Sequence, residues 1–560
     1  MKKIISLVLC FLLVFSLGVP AFAATDTLKV IVANDLHYNQ TYTSLEKVRN
    51  HNTVSSDFAH IGATGKLVYE SYALVVAFLE QAAKSDTDVV LIPGDMVDVG
   101  TVEEHIVMTS LLAEFEASCG KSVYVIPGNH DFFQTSVEEF IELYADFGYG
   151  EAIARDTLSA SYTADLNGEY RLLAIDSTDP GNGPHGMTQA RVDWIDAQCK
   201  QAAADGKKLI AMMHHNLLDH YTPTGFIHIG EAVNSDINLA DVLASGMVKY
   251  IFTGHIHVQD ILSYTANDGT VIYDVVTGAL AAYPCAYREV TFADSVTIES
   301  KSIEAIDWSL VPSGISENAL AVAQKSFVDY SYLAAHVGIR LLIPSYITPE
   351  TLIRLSGVNK ETDPEVYSVI EKVGTKLTEV MAMPLYKADA NGEQSLEDII
   401  AGFGKTLPKT EYKDLIDVIE QVYVDYQGGI ENYPAYSDEM IIVSRSLAAV
   451  LIYALEGVSP DEYSVILTYL FNLLDVSVPD SLISFSGNMI SNFENIEIII
   501  STALLPTLLN MSVDTPPSDN NVVLPGYDVR GEAELSFWDR IMQFFKSIAD
   551  FFKSLFAIFS

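Results

Sequence analysis

Short apolar runs alternate with stretches of helical spacing through the first half of the chain. The apolar runs all end in a few kinds of polar residue. Residues 28–32, Leu-Lys-Val-Ile-Val, predict a strand that runs into Asn34, Asp35, Leu36 and His37. Residues 88–92 form a β-branched run closed by Pro93 and Gly94, and Asp95, Met96, Val97 and Asp98 follow. Further runs at 122–126, 170–175, 208–213, 248–252 and 271–276 predict five more strands. The third ends in Pro127, Gly128, Asn129, His130 and Asp131, and the fourth in Asp176 and Ser177. The fifth ends in His214, His215 and Asn216, the sixth in Gly254, His255, Ile256 and His257, and the seventh in Thr277 and Gly278. Periodicity near 3.6 predicts helices at 66–83, 111–117, 136–147 and 189–203, the last with Thr188 as its N-cap. Strands alternating with helices define an α/β class. The last section of this region is expected to run antiparallel, which suggests two sheets packed as a sandwich flanked by helices.

Beyond about residue 317 the period changes. Helical spacing dominates to about residue 509 and predicts an all-α region in which no motif carries chemistry. Asp389, Ala390, Asn391 and Gly392 place a glycine at position 4, where a calcium loop of the EF-hand kind needs it at 6, so a turn is expected there. Residues 514–532 are rich in Pro, Asp, Asn and Gly and read as a linker. In the segment 537–559, Phe537, Trp538, Ile541, Phe544, Phe545, Ile548, Phe551, Phe552, Leu555 and Phe559 lie on one helical face. That face suits either a membrane or cell-surface contact or docking on the helical region itself. The expected division is a leader at 1–23, a catalytic domain at 24–312, a helical domain at 313–510, a linker at 511–536 and an amphipathic helix at 537–560.

The leader is a secretory signal: Lys2 and Lys3 precede a short apolar stretch at 4–17, and Ala21, Phe22 and Ala23 form an A-x-A cleavage site. The expected location is therefore extracytoplasmic, secreted or surface-associated. Cleavage would leave Cys119, Cys199 and Cys285, which cannot build a disulfide framework and are expected to be separate thiols. With 560 residues and 49% hydrophobic composition the chain can bury a large core. Its net charge of -42 excludes a basic nucleic-acid surface. An anionic substrate would need a local positive centre, and no Lys/Arg cluster supplies one. Bound divalent cations would.

The strand ends supply the ligands for such cations. Asp35 and His37, two apart in extended chain, point the same way, and so do His255 and His257. Adding Asp95, Asn129 and His214 gives seven N/O donors at one sheet edge. That is too many for one tetrahedral ion and suits two divalent metals sharing a carboxylate. No thiolate is among them, so Mn, Fe and Zn all fit. Two such ions clamp the attacking and leaving oxygens of a phosphoryl transfer and acidify a bound water. His130, beside Asn129, is placed to move protons.

The set Asp-x-His, Gly-Asp-x-x-Asp, Gly-Asn-His-Asp, a strand-ending His and Gly-His-x-His, in that order over residues 28–300, resembles the calcineurin-like metallophosphoesterases. The resemblance implies one metal held by Asp35, His37, Asp95 and His257. It implies a second held by Asp95, Asn129, His214 and His255, with Asp95 bridging. His130 would steady the phosphoryl group or protonate the leaving oxygen, and Asp98 and Asp131 would orient ligands. Members often carry Pro where Asn216 stands, which leaves His215 as an alternative to His214. Residues 144–149, 214–220 and 254–257 look like secreted bacterial enzymes of the cyclic-nucleotide phosphodiesterase type, which also carry a C-terminal helical domain. Here the helical region and tail are longer.

The implied activity is hydrolysis of a small phosphate ester, a phosphodiester such as a cyclic nucleotide, by metal-bound hydroxide. Alternatives are a phosphomonoesterase or nucleotidase, a phospholipid head-group phosphodiesterase, and a non-catalytic surface module. The loops 38–64, 178–186 and 217–234 are expected to set specificity, with His51 and His60 solvated. His220, Tyr221, His228 and Tyr283 are candidates to line the pocket.

Overall fold

The computed structural model describes residues 27–41, 56–178, 187–220, 239–454 and 513–527, except for residues 59, 63, 64, 347, 357, 363, 388–391 and 515. The leader, the amphipathic segment 537–560, most of the three specificity loops with His51, Tyr221 and His228, and the turn at 389–391 lie outside these residues.

The chain opens with three parallel strands, β1 (Leu28–Val32), β2 (Val89–Pro93) and β3 (Ser122–Ile126), joined through α1 (Ser71–Lys84) and α2 (Val102–Cys119). Next come β4 (Ala154–Arg155), β5 (Tyr162–Asp165), β6 (Tyr170–Ile175), β7 (Lys208–Met213), β8 (Tyr250–Thr253), β9 (Asp260–Thr265) and β10 (Val271–Val276). The hairpin of β11 (Ala286–Phe292) and β12 (Ser295–Ser302) follows, and a last strand, β13 (Asn521–Pro525), returns after the helical region. One sheet has the order β13-β12-β11-β1-β2-β3 and the other β4-β5-β6-β7-β8-β10-β9. β2 and β6 are buried at every position, as continuous apolar runs are when a sheet is covered on both faces. β9 alternates half-buried and exposed positions after its first two residues, as an edge strand does.

The sheets pack face to face, as the antiparallel closing section predicts. Their shared core joins Val30, Val32, Val123 and Val125 to Tyr162, Tyr170, Tyr250 and Phe252. The Tyr162 hydroxyl of β5 donates to the Val125 carbonyl of β3 across the sandwich at 3.0 Å. The ring of Phe292 on β11 lies 5.6 Å from Tyr170 and 5.7 Å from Tyr250. Apolar burial of this kind, at roughly 25 cal/mol per Å², supplies the drive that no disulfide gives here. Cys119, Cys199 and Cys285 are free thiols, as expected.

α2 starts at Val102, nine residues before the periodicity predicts, because Thr101 and Glu104 form a reciprocal capping box. The helix expected at 136–147 stops at Leu143, and the chain turns through non-helical Phe147 and Gly148. Thr188 caps α4 (Gln189–Ala204, after α3, Val137–Leu143) as predicted, accepting from the Arg191 N–H.

After α5 (Leu239–Ser245), the all-α region begins with α6 (Glu317–Lys325) and α7 (Phe327–Tyr346). Ala319, Ala323, Phe327, Tyr330 and Ala334 join the sandwich core. α8 (Pro349–Ser356), α9 (Pro364–Met381), α10 (Leu396–Gly402), α11 (Leu415–Gln427) and α12 (Asp438–Ala454) build a second core around Val373, Val380, Leu396, Leu415 and Val418. No described helix is long and apolar enough to cross a membrane.

Two sequence expectations need correction. The segment 511–536, expected to be a linker, contains β13, which pairs antiparallel with β12 in the register Ile298↔Val522 and Val296↔Leu524. Its composition is that of an exposed edge, and its partner lies over two hundred residues upstream. His60, expected to be solvated, is packed against Tyr330, with its Nε2 2.7 Å from the hydroxyl.

Candidate metal centre

The strand-end junctions converge at one edge of the sandwich. The loop after β1 brings Asp35 and His37, and the one after β2 brings Asp95. Asn129 and His130 follow β3, His214 ends β7, and His255 and His257 follow β8. Asp35 and His214 are 0% exposed, Asp95 1% and His37 2%. Asn129, His130, His255 and His257 are partly exposed and form the solvent side.

The backbone is forced there. Asp35, His37, Asp95, His255 and His257 have φ of 52°, 42°, 49°, 69° and 59°. Each such left-handed non-glycine residue costs on the order of 1–3 kcal/mol, and such residues cluster where surrounding structure holds them for a function. Glycines allow the close approaches. A Cβ on Gly128 would lie 2.2 Å from Asp95 Oδ1, and one on Gly254 would lie 2.5 Å from Asp35 Oδ2.

Two donor groups result. In the first, His37 Nε2 and His257 Nε2 are 3.1 Å apart, and each is close to Asp35 Oδ1, at 3.6 and 3.4 Å. In the second, His214 Nε2 lies 3.1 Å from Asn129 Oδ1 and 3.3 Å from Asp95 Oδ2. The His255 ring is 5.1 Å from that of His214. Asp95 Oδ2 is also 3.7 Å from His37 Nε2, so it stands between the groups.

Ligands about 2.1 Å from one ion at tetrahedral angles stand roughly 3.4 Å apart, which is the spacing seen here. The carboxylates divide their oxygens accordingly. Asp35 Oδ2 accepts from the His255 N–H at 2.9 Å and from Asn34 Nδ2 at 2.5 Å, while its buried Oδ1 has no hydrogen-bond partner. Asp95 Oδ1 accepts from the His130 N–H at 2.8 Å, which leaves Oδ2 to the site. The buried, unpartnered Asp35 Oδ1 would cost free energy unless a cation satisfied it. The residues present therefore fit two divalent ions.

A layer behind the donors fixes their orientation. His214 Nδ1 donates to the Pro93 carbonyl at 2.9 Å, which turns the Nε2 lone pair to the site. His37 Nδ1 faces Asp98 Oδ1 at 3.2 Å, and Asn39 Nδ2 donates to Asp98 Oδ2 at 2.7 Å. Asp131 acts differently from the expectation: its carboxylate accepts from the backbone N–H groups of Val97 and Gly128 and braces both ligand-bearing turns rather than a ligand side chain. His130 Nδ1 is tied to the Asp98 carbonyl at 2.7 Å.

Burial opposes ionisation of Asp35, yet the charge of His257 and the nearby rings of His257 and His37 outweigh it and hold the carboxyl well below the usual range. For Asp95 burial is likewise overcome, chiefly by His214 and His130, and the carboxyl is held low. Burial works against the His214 imidazolium, but the Asp95 charge and hydrogen bond lift it to about 9. Burial and the His214 charge push His255 down to about 3. Cations entering the cluster would have to displace the proton that Asp95 favours on His214, since an imidazole must be neutral to ligate.

Three contributors escaped the sequence reading. Lys66 is buried and its Nζ lies 3.1 Å from Asp98 Oδ1, a single cation with no basic cluster around it in sequence. Asn34 holds Asp35 and the Thr277 carbonyl. Asn216, where Pro is common in the family, donates to Thr253 Oγ1 and the Gly254 carbonyl and so props the turn that carries His255. No spacing signal marks any of them. His214, not His215, faces Asp95 and Asn129. His215 Nδ1 lies 2.8 Å from Ser177 Oγ, although its ring is 4.4 Å from that of His255. His220 is not a pocket residue: it is 3% exposed and clamped between Asp260 at 2.7 Å and Asp274 at 3.1 Å. Tyr283 packs on Tyr332 of the helical region.

Residues 28–259 match the family model described as calcineurin-like phosphoesterase. A probable glycerophosphodiester phosphodiesterase from Arcobacter nitrofigilis is 26% identical over 209 residues, 35% of this chain and 68% of that protein. A 3',5'-cyclic adenosine monophosphate phosphodiesterase from Haemophilus influenzae is 29% identical over 193 residues, 34% of this chain and 61% of that protein. Among solved structures, a dimetal phosphatase from Danio rerio covers 49% of this chain and 96% of its own at 13% identity, with a TM-score of 0.36, too loose an overlap to argue from. The family model spans all seven ligand candidates, and over residues 28–259 this chain is similar to the calcineurin-like phosphoesterases, a family of metal-dependent phosphoester hydrolases.

Proposed function

We propose that the chain is an extracytoplasmic phosphodiesterase that hydrolyses small phosphodiesters such as cyclic nucleotides at a dinuclear metal site. The observation that carries this is the position of Asp95 Oδ2 between two donor groups, 3.3 Å from His214 Nε2 and 3.7 Å from His37 Nε2. We assign Asp35, His37, Asp95 and His257 to one ion and Asp95, Asn129, His214 and His255 to the other. Mn, Fe and Zn all suit this nitrogen and oxygen set. When bound, the pair supplies positive charge to the phosphoryl oxygens and acidifies a water for attack on phosphorus.

The chain's own residues do the rest. Asp98 and Pro93 hold the rings of His37 and His214 by their Nδ1 atoms, so that both present Nε2. The Asp98 carbonyl holds His130 by Nδ1 and leaves its Nε2 for the substrate, where it steadies a phosphoryl oxygen or passes a proton to the leaving alkoxide. Lys66, behind Asp98, adds a fixed positive charge to a strongly acidic protein.

Both relatives described above are named as phosphodiesterases, which supports the diester class. The glycerophosphodiester name favours a second substrate, a glycerol-linked head group. The segment 1–23 supports export. The test measures hydrolysis of bis(4-nitrophenyl) phosphate, 4-nitrophenyl phosphate, cyclic AMP and glycerophosphocholine by the manganese-loaded chain, with metal content on the same sample. Faster cleavage of diesters than of the monoester is expected, with two metals per chain. Cleavage of the monoester alone would sink the diesterase reading, and no cleavage of any substrate by a dimetal sample would sink the enzyme reading.

A further inference from the structure

A second group of buried oxygen donors lies where three distant stretches of chain meet. Asp260 opens β9, Glu431 follows α11, and Asp519 precedes β13. One carboxylate oxygen from each lies within 4.8 Å of the other two. The approach is built in: the Gln427 carbonyl accepts from the Gln259 N–H at 3.2 Å, and Asn520 Nδ2 donates to the carbonyls of Gly428 and Gly429. The Asp514 N–H donates to the Glu431 carbonyl at 3.2 Å and adds a fourth carboxylate nearby.

Hydrogen bonds satisfy only part of this group. Asp519 is 2% exposed, and its Oδ1 accepts from the Ile261 N–H at 3.0 Å, but its Oδ2 is buried with no hydrogen-bond partner. Glu431 Oε1 is buried in the same condition, and so is the amide oxygen of Gln427, which is 2% exposed. The neighbouring cations are already engaged. His220 lies between Asp260 and Asp274, and the Arg288 guanidinium donates to the carbonyls of Asp519 and Val276 and to Ser300 Oγ. Burial, together with the Asp260 and Asp514 charges, pushes Asp519 and Glu431 well above the ordinary carboxyl range. A desolvated carboxylate cluster is costly unless something positive enters it.

We propose that Asp260, Glu431 and Asp519 bind one calcium-type divalent cation, separate from the catalytic pair, which pins the helical region and the returning β13 to the sandwich. The donors are all oxygen, and irregular all-oxygen sets from flexible segments suit calcium better than octahedral magnesium. No ligand candidate of the catalytic centre takes part.

The test uses the full chain, stripped with chelator, reloaded with manganese, and titrated with calcium chloride while bound calcium and Tm are followed. One calcium per chain is expected to bind, with Tm rising as calcium rises. Asp519→Asn is expected to lose both responses and to hydrolyse bis(4-nitrophenyl) phosphate at the wild-type rate, and Glu431→Gln is the second variant should the first not fold. In Asp95→Asn, whose metal centre is impaired, the calcium response is expected to persist. Uptake lost in Asp95→Asn but kept in Asp519→Asn would overturn the proposal. So would a wild-type Tm that ignores calcium and rises only on acidification, which would mean that shared protons hold the cluster.

Discussion

The sandwich and the helical region are both well packed, but they treat strain differently. The sandwich holds Asp35, His37, Asp95, His255 and His257 in left-handed backbone, while no non-glycine residue described between 317 and 454 has positive φ. Along the helices many polar groups are paired by ordinary means, while Gln427 and Glu431, at and just after the end of α11, keep buried oxygens without a partner. Ser395 caps α10 with a reciprocal box to Asp398, Asp414 caps α11, and Arg340 of α7 grips Asp414, Asp417 and Glu420. At the sandwich edge, by contrast, imidazole nitrogens face one another at 3.1 Å and Asp35 Oδ1 is left unsatisfied. A double sheet, rigid on both sides, can hold such an arrangement against its own cost. The difference shows where binding energy is stored for chemistry and where the chain is only folded.

The comparison breaks most easily at the shared carboxylate. Asp95→Asn keeps the volume and the hydrogen bond from the His130 N–H but removes the bridging charge. Hydrolysis is expected to fall by about 10³-fold, or about 4 kcal/mol of barrier, with Tm little changed. A folded Asp95→Asn that keeps wild-type turnover would remove the central ligand from the scheme. Gly128→Ala tests the crowding instead. A Cβ there would lie 2.2 Å from Asp95 Oδ1 and 2.5 Å from Asp95 N, so the two turns must part. A loss of about 10²-fold in kcat/KM is expected, since sub-ångström misplacement at a metal site costs that much. Unchanged kinetics and metal content would show that the close backbone approach is incidental.

Much of this site was legible because each ligand follows a continuous apolar run. The strands at 122–126, 170–175, 208–213 and 271–276 were readable residue for residue. Ligand identity follows from strand ends in chain order, and strand ends are local signals. What was hidden depends on distant partners. β13 is a five-residue edge whose register is set by β12 far upstream. Lys66 carries no pattern of its own and becomes meaningful only beside Asp98. His220 is a pocket candidate by sequence, but Asp260 and Asp274 reach it only through the fold of the second sheet.

On the helical side the expected effects are smaller and fall on stability alone. Arg340→Met keeps much of the apolar stem and removes the clamp on Asp414, Asp417 and Glu420. The side chain is 31% exposed, so solvent screens part of the interaction. A loss of about 2 kcal/mol is expected, seen as a lower urea midpoint, with kcat on saturating substrate unchanged. A matching loss of kcat would mean that the helical region takes part in chemistry and that the contrast with the sandwich is overdrawn.

An effect that shows only as pH changes sharpens the boundary between the two regions. Glu70, just before α1, is fully buried. The Tyr330 hydroxyl of α7 donates to its Oε1, and its Oε2 has no hydrogen-bond partner. Burial pushes this carboxyl from its ordinary 4.5 up to about 7, against the Tyr330 hydrogen bond. The folded protein therefore keeps a proton that the unfolded chain has released. Stability from this group is complete below about pH 4.5 and is lost as pH rises to about 7, at no more than roughly 1.4 kcal/mol per pH unit. Glu70→Gln is neutral at every pH and can still accept from Tyr330. Unfolding of wild type and variant, measured from pH 4.5 to 8 at fixed metal, should give curves that diverge through this window, with Gln the more stable above pH 7. Parallel curves would show that Glu70 is ionised where it sits. The helical region would then dock on a charged group.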